Sequence, residues 1–255
     1  MVSSDFRKEA REKLSGKWGK AACITLAYFL VTIVLDIIEN KTTGALNSIV
    51  AICTFIIEIP LSFGFIMSFV KLFNEQDVGA FDFLKSGYDN FKRSWSIAWY
   101  TFVKMIWPVI LMILAIILLV IGLGSTFFTA LKGSVDFTGL GAMSIISFIL
   151  IIVAAIWGTM LSYYYKIAPI IAADNENMTG KEAVEESRKR MEGKRGKLFC
   201  LELSFIGWAI LGILSFGIGY IWLTPYMQMA TVSFYKSTNP NEVVEPVQSE
   251  ESTEE

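Results

Sequence analysis

The longest apolar stretch of the chain runs from Leu198 to Tyr235, thirty-eight residues in which Glu202 is the only charged side chain. As a single helix it would be about 57 Å long, nearly twice the ~30 Å hydrocarbon core of a bilayer. We therefore predict that this stretch crosses a membrane twice and turns at Gly217-Ile218-Gly219. A single long span over Leu198–Leu223 is the alternative.

Four further apolar runs precede this stretch, and all five together predict six transmembrane helices arranged as three hairpins. These runs are Ala21–Ile38, Ala45–Val70, Ile97–Ile121 and Ala142–Tyr165. A polar turn joins the first two runs, and the glycines of Gly122–Gly141 predict a loop between the next two. The composition is 54% hydrophobic and 18% charged, with a mean hydropathy of +0.52. The predicted fold class is therefore an all-α, polytopic helical membrane protein.

A polar segment with helical periodicity precedes each hairpin. The first two segments carry their apolar residues at helical spacing: Phe6, Ala10 and Leu14, and then Phe81, Leu84, Tyr88 and Phe91. The third segment begins with a capping box from Thr179 to Glu182. We predict three amphipathic helices on the cytoplasmic surface of the membrane.

The junction between amphipathic helix and hairpin, here named the hinge, is repeated. Leu14–Lys20 reads Leu-Ser-Gly-Lys-Trp-Gly-Lys, and Met191–Lys197 reads Met-Glu-Gly-Lys-Arg-Gly-Lys. Gly16 and Gly193 are predicted to end the preceding helices in the left-handed conformation that glycine adopts without strain. Asn90 takes the glycine position in a weaker middle copy. The predicted units of one membrane domain, 1–236, are residues 1–73, 74–171 and 172–236. The alternative is that any hairpin entering from the cytoplasm acquires a basic junction with a glycine.

Prolines recur near the ends of the hairpins. Pro60 and Pro225 each lie eleven residues before a lysine, Lys71 and Lys236, and Pro169 lies near the corresponding end of the middle hairpin. Proline removes a backbone donor and frees the carbonyl four residues earlier. All three prolines are therefore predicted kink positions, and a carbonyl freed inside a span needs another donor.

The distribution of lysine and arginine orients the chain. Nineteen of them fall before the first span, in the loops between hairpins or after the last span, whereas only Lys41 and Lys132 fall on the opposite side. The positive-inside rule therefore predicts that both termini lie in the cytoplasm. The tail 237–255 contains six glutamates and no basic residue, a composition that predicts disorder.

Five basic residues of the hinges are candidate contacts for anionic lipid head groups: Lys17, Lys20, Lys194, Arg195 and Lys197. At the inner leaflet each basic residue contributes about 1 kcal/mol to such binding. Anchoring of the membrane topology explains the same residues equally well. The hinge is not a nucleotide-binding phosphate loop, since the motif G-x-x-x-x-G-K-[ST] is absent from the chain.

Three ionisable residues, Glu58, Lys104 and Glu202, are predicted inside spans, where such side chains face protein or a wet cavity. Lys104 and Glu202 lie near the cytoplasmic ends of their helices and are expected to reach the inner surface. Glu58 is predicted near mid-membrane. It is either a neutral structural carboxyl bonded to a carbonyl freed by the kink, or a relay for protons or substrate.

The chain has no histidine, and so lacks the commonest metal ligand and general base. Its cysteines, Cys23, Cys53 and Cys200, are interpreted as small buried hydrophobic residues. We expect no enzyme activity, no cofactor, no metal and no nucleic-acid partner. The expected function is that of a non-enzymatic membrane protein acting through lipids, a protein partner or a second copy of itself. A transporter with a site between hairpins near Glu58 is the alternative.

Two segments, Arg7–Ala21 and Ser187–Tyr235, resemble a known family. The second contains Glu-Leu-Ser-Phe-Ile-Gly-Trp at Glu202–Trp208 and Thr-Pro-Tyr at Thr224–Tyr226. The family comprises bacterial, largely Gram-positive, integral membrane proteins known as domain of unknown function number nine hundred and seventy-five, and the resemblance spans Asp5–Lys236. It implies a polytopic protein of the bacterial plasma membrane, distantly similar to the membrane domain attached to some glycerophosphodiester phosphodiesterases. It implies no activity and no functional residues.

Overall fold

The computed structural model describes residues 2–131 and 137–239, and every regular element in those ranges is an α-helix. The predicted all-α class is therefore confirmed, whereas nearly all of the acidic tail lies outside the described residues. In chain order the helices are α1 (Ser3–Leu14), α2 (Trp18–Lys41), α3 (Gly44–Phe73), α4 (Asp82–Asp89), α5 (Phe91–Leu131), α6 (Phe137–Tyr165), α7 (Ala168–Asp174), α8 (Gly180–Met191), α9 (Arg195–Leu203), α10 (Ile206–Leu214) and α11 (Tyr220–Ser237).

Burial divides the described residues into a packed core and three apolar arms. The core combines α1, α7 and α8 with the C-terminal halves of α3 and α11. The arms comprise residues 26–59, 98–160 without the undescribed 132–136, and 199–222, and their described side chains are largely exposed and apolar. An apolar surface of this extent is stable in contact with lipid but is unfavourable in contact with water. The predicted burial of the cysteines is wrong, since all three are exposed: Cys23, Cys53 and Cys200.

Five helical segments are long and apolar enough to cross a bilayer. They are Trp18–Lys41, Gly44–Phe73, Phe91–Ser125, Met143–Asp174 and Arg195–Leu214. The chain is accordingly a multi-pass membrane protein.

The last apolar stretch folds back on itself. The rings of Phe205 and Tyr226 lie 5.0 Å apart. Farther along the two helices, the Tyr220 hydroxyl donates to the Ala209 carbonyl at 3.1 Å. These contacts make α11 antiparallel to α9 and α10, and the chain reverses beside Gly217, whose φ is +86°. The alternative of one long helix is therefore wrong.

The segment predicted to be a glycine-rich loop is mostly helical. α5 continues through Gly122 and Gly124 to Leu131, and α6 begins at Phe137. Each glycine costs a helix about 1 kcal/mol, but packing of α5 against α6 offsets this cost. Gly122 allows the close contact, since a Cβ there would lie 3.2 Å from the Ser144 hydroxyl oxygen. The loop prediction is wrong because packing outweighs the low helix propensity of glycine.

Both glycine hinges adopt the same backbone geometry. Gly16 and Gly193 each have a φ of +73°. The residue before the glycine is extended, with φ and ψ of −56° and 128° in the first hinge and −61° and 123° in the other. The residue after the glycine donates its N–H to the carbonyl two residues before the glycine, at 2.8 and 3.1 Å. Each hinge is thus a type II β-turn with glycine at its third position, where φ must be positive.

The middle hinge is built differently. Asn90 has a φ of −105° and a ψ of 23°, so the left-handed asparagine predicted there is wrong. It is instead a one-residue break between α4 and α5. Its backbone resembles that of Lys17 (−117°, 3°) and Lys194 (−106°, −5°), the residues that follow the two hinge glycines. The three hinges therefore align on Lys17, Asn90 and Lys194.

With Lys17, Asn90 and Lys194 aligned, the three units bury residues at the same four positions. Two of these positions lie seven and three residues before the aligned residue, and two lie four and seven residues after it. The buried residues are Ala10, Leu14, Ala21 and Ile24 in the first unit, Phe83, Gly87, Ser94 and Ile97 in the second, and Ser187, Met191, Leu198 and Leu201 in the third. This shared pattern supports a threefold internal repeat, whose unit boundaries stay a prediction.

Gly16→Ala and Gly193→Ala are each expected to lower the free energy of unfolding by roughly 1 kcal/mol, because only the positive φ opposes a Cβ there. Gly19→Ala and Gly196→Ala are matched controls, since both helical glycines have open space and neither has a positive φ. These controls are expected to raise the free energy of unfolding by roughly 0.5–1 kcal/mol. Thermal unfolding in detergent compares the four variants. If the two alanine variants of one hinge changed the free energy of unfolding in the same direction, that result would contradict the proposed strain at the hinge glycine with positive φ.

α4 contacts the core through a narrow face. Its residues Phe83 and Gly87 pack on the backbone of α3 around Pro60 and Gly64. The apolar stripe of the helix points away from this contact and is exposed, at Phe81, Leu84, Tyr88 and Phe91. The stripe is therefore available to lipid.

The three prolines occupy two kinds of position. Pro60 and Pro225 are buried inside α3 and α11, where each helix passes from an apolar arm into the core. Pro169 lies in the first turn of α7, beyond the end of α6, where a backbone N–H would have no helical partner. Pro169 therefore follows a break between α6 and α7 inside the candidate span Met143–Asp174, and the kink predicted there stays a prediction.

A largely buried polar cluster, exposed at Asn74, joins the ends of α3, α7 and α11. Asp174 accepts hydrogen bonds from the Asn74 amide at 3.1 Å and from the Tyr235 hydroxyl at 2.9 Å. It also forms an ion pair with Lys236 at 3.1 Å, and the two side chains of this pair are only 15% and 16% exposed. These four residues are named the Asp174 cluster.

The first described helix, α1, packs along the last described helix, α11. The rings of Phe6 and Phe234 meet edge to face with their centroids 5.5 Å apart. On the adjoining turn the Ser233 hydroxyl donates to the Glu9 carboxylate. Contact between α1 and α11 therefore closes the core.

Candidate functional site

The first hinge is tied to the loop that follows α3. Lys20 forms an ion pair with Asp77, and Lys13, just before the hinge, forms one with Glu75 at 2.9 Å. The hydrogen bond and the charge of each lysine hold the pKa of its partner carboxyl below the ordinary value. Lys17 is half-buried between them along the chain. Of the two bases in the first hinge, Lys20 therefore already pairs with a carboxylate of the protein.

The second hinge is tied to the loop that follows α7. Arg93 takes the position that Lys20 has in the first unit, and its guanidinium donates to the Met178 carbonyl at 2.9 Å and to the Asn175 carbonyl. In both units a base just beyond the hinge holds the loop that follows the hairpin.

At the third hinge one basic residue, Arg195, lines an apolar groove. This hinge groove lies between α6 and the start of α9, has a volume of about 660 Å³ and opens to the surface. Arg195 lies at its hinge end, with the guanidinium carbon 4.1 Å from the Tyr164 ring centroid. Lys194 is half-buried and Lys197 is exposed. The lining residues are Ala155, Ile156, Thr159, Met160, Tyr163, Gly193, Arg195, Gly196 and Phe199.

Glu202 lies beside the hinge groove and pairs with residues at the end of α6. It accepts a hydrogen bond from the Tyr163 hydroxyl at 2.8 Å and forms an ion pair with Lys166. Its side chain is 24% exposed. The sequence predicted that Glu202 would reach the membrane surface, whereas the structure places its charge against protein partners.

Two cavities adjoin this group of three residues. One, of about 190 Å³, is lined by Lys166, Glu202 and Gln228 among apolar side chains. The other, of about 490 Å³, lies between α3, α5 and α6 and is lined by Lys166 and by several hydroxyl groups. Since Tyr163 lines the hinge groove and Lys166 lines both cavities, the group separates the groove from the cavities.

Glu58 lies at the base of the first apolar arm and is the fifteenth of the thirty residues of the candidate span Gly44–Phe73. The carbonyl freed by Pro60 belongs to Ile56, and it accepts a hydrogen bond from the Trp95 indole at 3.3 Å. Trp95 lies in the first turns of α5. The freed carbonyl thus has a neighbouring donor, but this donor is the Trp95 indole and not the Glu58 carboxyl. Glu58 is half-buried, and its carboxyl makes no hydrogen bond or ion pair with the described residues.

Lys104 is exposed on the α5 arm. It lines neither the hinge groove nor the two cavities described above. Of the three ionisable residues predicted in spans, the structure therefore brings only Glu202 to the groove.

Comparison with curated proteins gave no match, and comparison with solved structures gave none. A family model described as "Protein of unknown function (DUF975)" matches residues 1–242. The match includes all three hinges, the hinge groove and the Asp174 cluster. It confirms the resemblance carried by Arg7–Ala21 and Ser187–Tyr235, and the chain therefore belongs to this family of unknown function.

Proposed function

We propose that this protein binds anionic phospholipids of the inner leaflet of a bacterial plasma membrane, in the hinge groove, and acts without catalysing a reaction. In this proposal its arms form six spans and both termini lie in the cytoplasm. The count of nineteen basic residues against two supports the orientation. The reversal after α10 supports a sixth span, since α11 returns antiparallel to α9 and α10.

The hinge groove carries the proposal because it combines two features that a bound phospholipid requires. Its walls are apolar side chains of α6 and α9 that face the lipid-exposed surface, where an acyl chain can lie. Its hinge end holds Arg195, whose planar fork binds phosphate oxygens in pairs. Lys194 and Lys197 stand on the same turn. The other two hinges use Lys20 and Arg93 to hold loops, so the third is the favoured lipid site.

The double variant Arg195→Gln with Lys197→Gln is expected to reduce the preference for phosphatidylglycerol over phosphatidylcholine about thirtyfold, because each base contributes about 1 kcal/mol near an anionic surface. Native mass spectrometry of the protein released from mixed-lipid nanodiscs measures this ratio. The double variant Lys17→Gln with Lys20→Gln is the matched control in the first hinge and is expected to keep the wild-type ratio. An equal loss in both double variants, or no loss in either, would contradict the groove as the lipid site.

Transport of a lipid or small molecule is a second candidate, favoured by the cavity between α3, α5 and α6. This cavity lies between hairpins and brings hydroxyl groups of Ser62, Ser94, Thr101 and Ser162 toward Lys166. Such a mixture of apolar walls and a few polar groups is typical of sites for small molecules. In this candidate function Lys166 lines the path and Glu58 does not.

Glu58→Gln is expected to restore the lipid and metabolite profile of a deletion strain as fully as the wild-type gene does, since Glu58 lines neither the groove nor the two cavities. Trp95→Phe is the contrasting variant. It leaves the Ile56 carbonyl without its donor and is expected to destabilise by about 1–3 kcal/mol. Untargeted lipid and metabolite analysis, with protein levels measured in parallel, tests both. A well-expressed Glu58→Gln protein that fails to restore the profile would give Glu58 a functional role and favour transport.

A further inference from the structure

We propose that Tyr163 and Lys166 bind the phosphate of the phospholipid in the hinge groove, and that the Glu202 carboxylate competes with this phosphate for the two donors. The inference rests on the proposed function and names the residues that would select an anionic head group.

The geometry around Glu202 is that of an anion held by two donors. The Tyr163 hydroxyl donates to Oε2 at 2.8 Å, and the Lys166 ammonium pairs with Oε1. The ammonium nitrogen also lies 5.5 Å from the centre of the Tyr163 ring, so the two donors stand side by side. A phosphodiester presents two non-bridging oxygens that share one negative charge. The donor pair that fits a carboxylate therefore also fits a lipid phosphate.

The position of the donors connects them to the groove. Tyr163 lines the hinge groove together with Arg195, so a lipid lying along its walls brings its phosphate to both side chains. Lys166 follows three residues later, and its side chain is 44% exposed, which leaves it free to turn toward the groove. The continuous apolar wall favours a lipid over free phosphate, because inorganic phosphate gains nothing from apolar contact.

The exchange leaves neither anion unpaired. Glu202 already lines the cavity of about 190 Å³ together with Gln228. A displaced carboxylate that turns into this cavity meets the Gln228 amide, which carries two N–H donors. A buried carboxylate without a donor would be costly, so this second partner makes the competition feasible.

Glu202→Gln decides between competition and simple structural pairing. Glutamine has the shape of glutamate without its charge, so Tyr163 and Lys166 become available and retention of phosphatidylglycerol in nanodiscs is expected to rise about tenfold. Tyr163→Phe and Lys166→Met are expected to lower it. Glu202→Asp, which keeps the charge but shortens the reach, gives a smaller rise if the glutamine variant does not fold. A purely structural role would make all four variants lower lipid retention and the thermal midpoint together, and that result would overturn the inference.

Two further experiments distinguish failure of this inference from failure of the proposed function. If the Arg195→Gln and Lys197→Gln double variant retains lipid like the wild type, the proposed function itself fails. If that variant loses lipid but Glu202→Gln gains none, only the present inference fails. Inorganic phosphate added at millimolar concentration is expected to leave lipid retention unchanged. Displacement of the lipid by inorganic phosphate would overturn the choice of a lipid ligand.

Discussion

Gly64→Ala and Gly87→Ala are expected to detach α4 from α3 and to leave little folded protein. A Cβ on Gly64 would lie 2.7 Å from the Gly87 backbone nitrogen and closer still to the Phe83 carbonyl oxygen. A Cβ on Gly87 would lie 2.9 Å from the Pro60 carbonyl carbon. All of these neighbours are backbone atoms, so relief requires a shift of a whole helix. We expect a loss of about 3 kcal/mol or more, a large share of the stability of an ordinary domain.

The yield of monodisperse protein and its thermal midpoint in detergent measure this loss. Gly207→Ala is the control, since a Cβ there would have no neighbour within 4 Å and its φ is not positive. It is expected to match the wild type or to exceed it slightly. A wild-type midpoint for Gly64→Ala would show that α4 does not pack as described.

Asp174→Ala is expected to cost about 1–3 kcal/mol, because it removes the carboxylate that accepts from three different donors at the edge of the core. Lys236 would lose its carboxylate, and the Asn74 amide and Tyr235 hydroxyl would lose their acceptor. Asp174→Asn keeps an acceptor oxygen without the charge, and its stability is expected to lie between those of Asp174→Ala and the wild type. The thermal midpoint of the variants in detergent orders them.

Asp77→Ala is the matched control for a surface ion pair. Asp77 also pairs with a lysine, Lys20, but its side chain is 93% exposed, and exposed pairs contribute little to stability. Its thermal midpoint is expected to equal that of the wild type within error. A loss at Asp77 as large as that at Asp174 would contradict the assignment of the Asp174 cluster as the buried joint of the core.

Local patterns in the sequence were sufficient for features that depend on neighbouring residues. The glycines of the two hinges needed a positive φ, and the run after Leu198 was too long for one crossing. The division of α3 into a lipid-exposed arm and a buried half was not predictable in this way. Both halves are apolar, and an apolar side chain suits lipid and a protein core equally well. Only tertiary contact, such as that of Gly64 with α4, shows which half is buried.

The candidate site was predictable in part for the same reason. The sequence identified the basic residues of both glycine hinges, but not which hinge borders an apolar groove. That difference depends on partners far along the chain: Lys20 meets Asp77 fifty-seven residues later, whereas the third hinge meets the apolar wall of α6. Similarly, Tyr163 and Glu202 are thirty-nine residues apart, and nothing in either segment alone indicates that they share a hydrogen bond.

Contact between α1 and α11 has a consequence for the order of events on the ribosome. α1 is translated before the other described helices, and its apolar face of Phe6, Ala10 and Leu14 is buried in the folded structure. Its main partner, α11, is translated more than two hundred residues later. Throughout synthesis, therefore, α1 must rest its apolar face on the membrane surface or on another protein. The core closes only after α11 has been translated, which makes the packing of α11 on α1 the step that commits the chain to its native form.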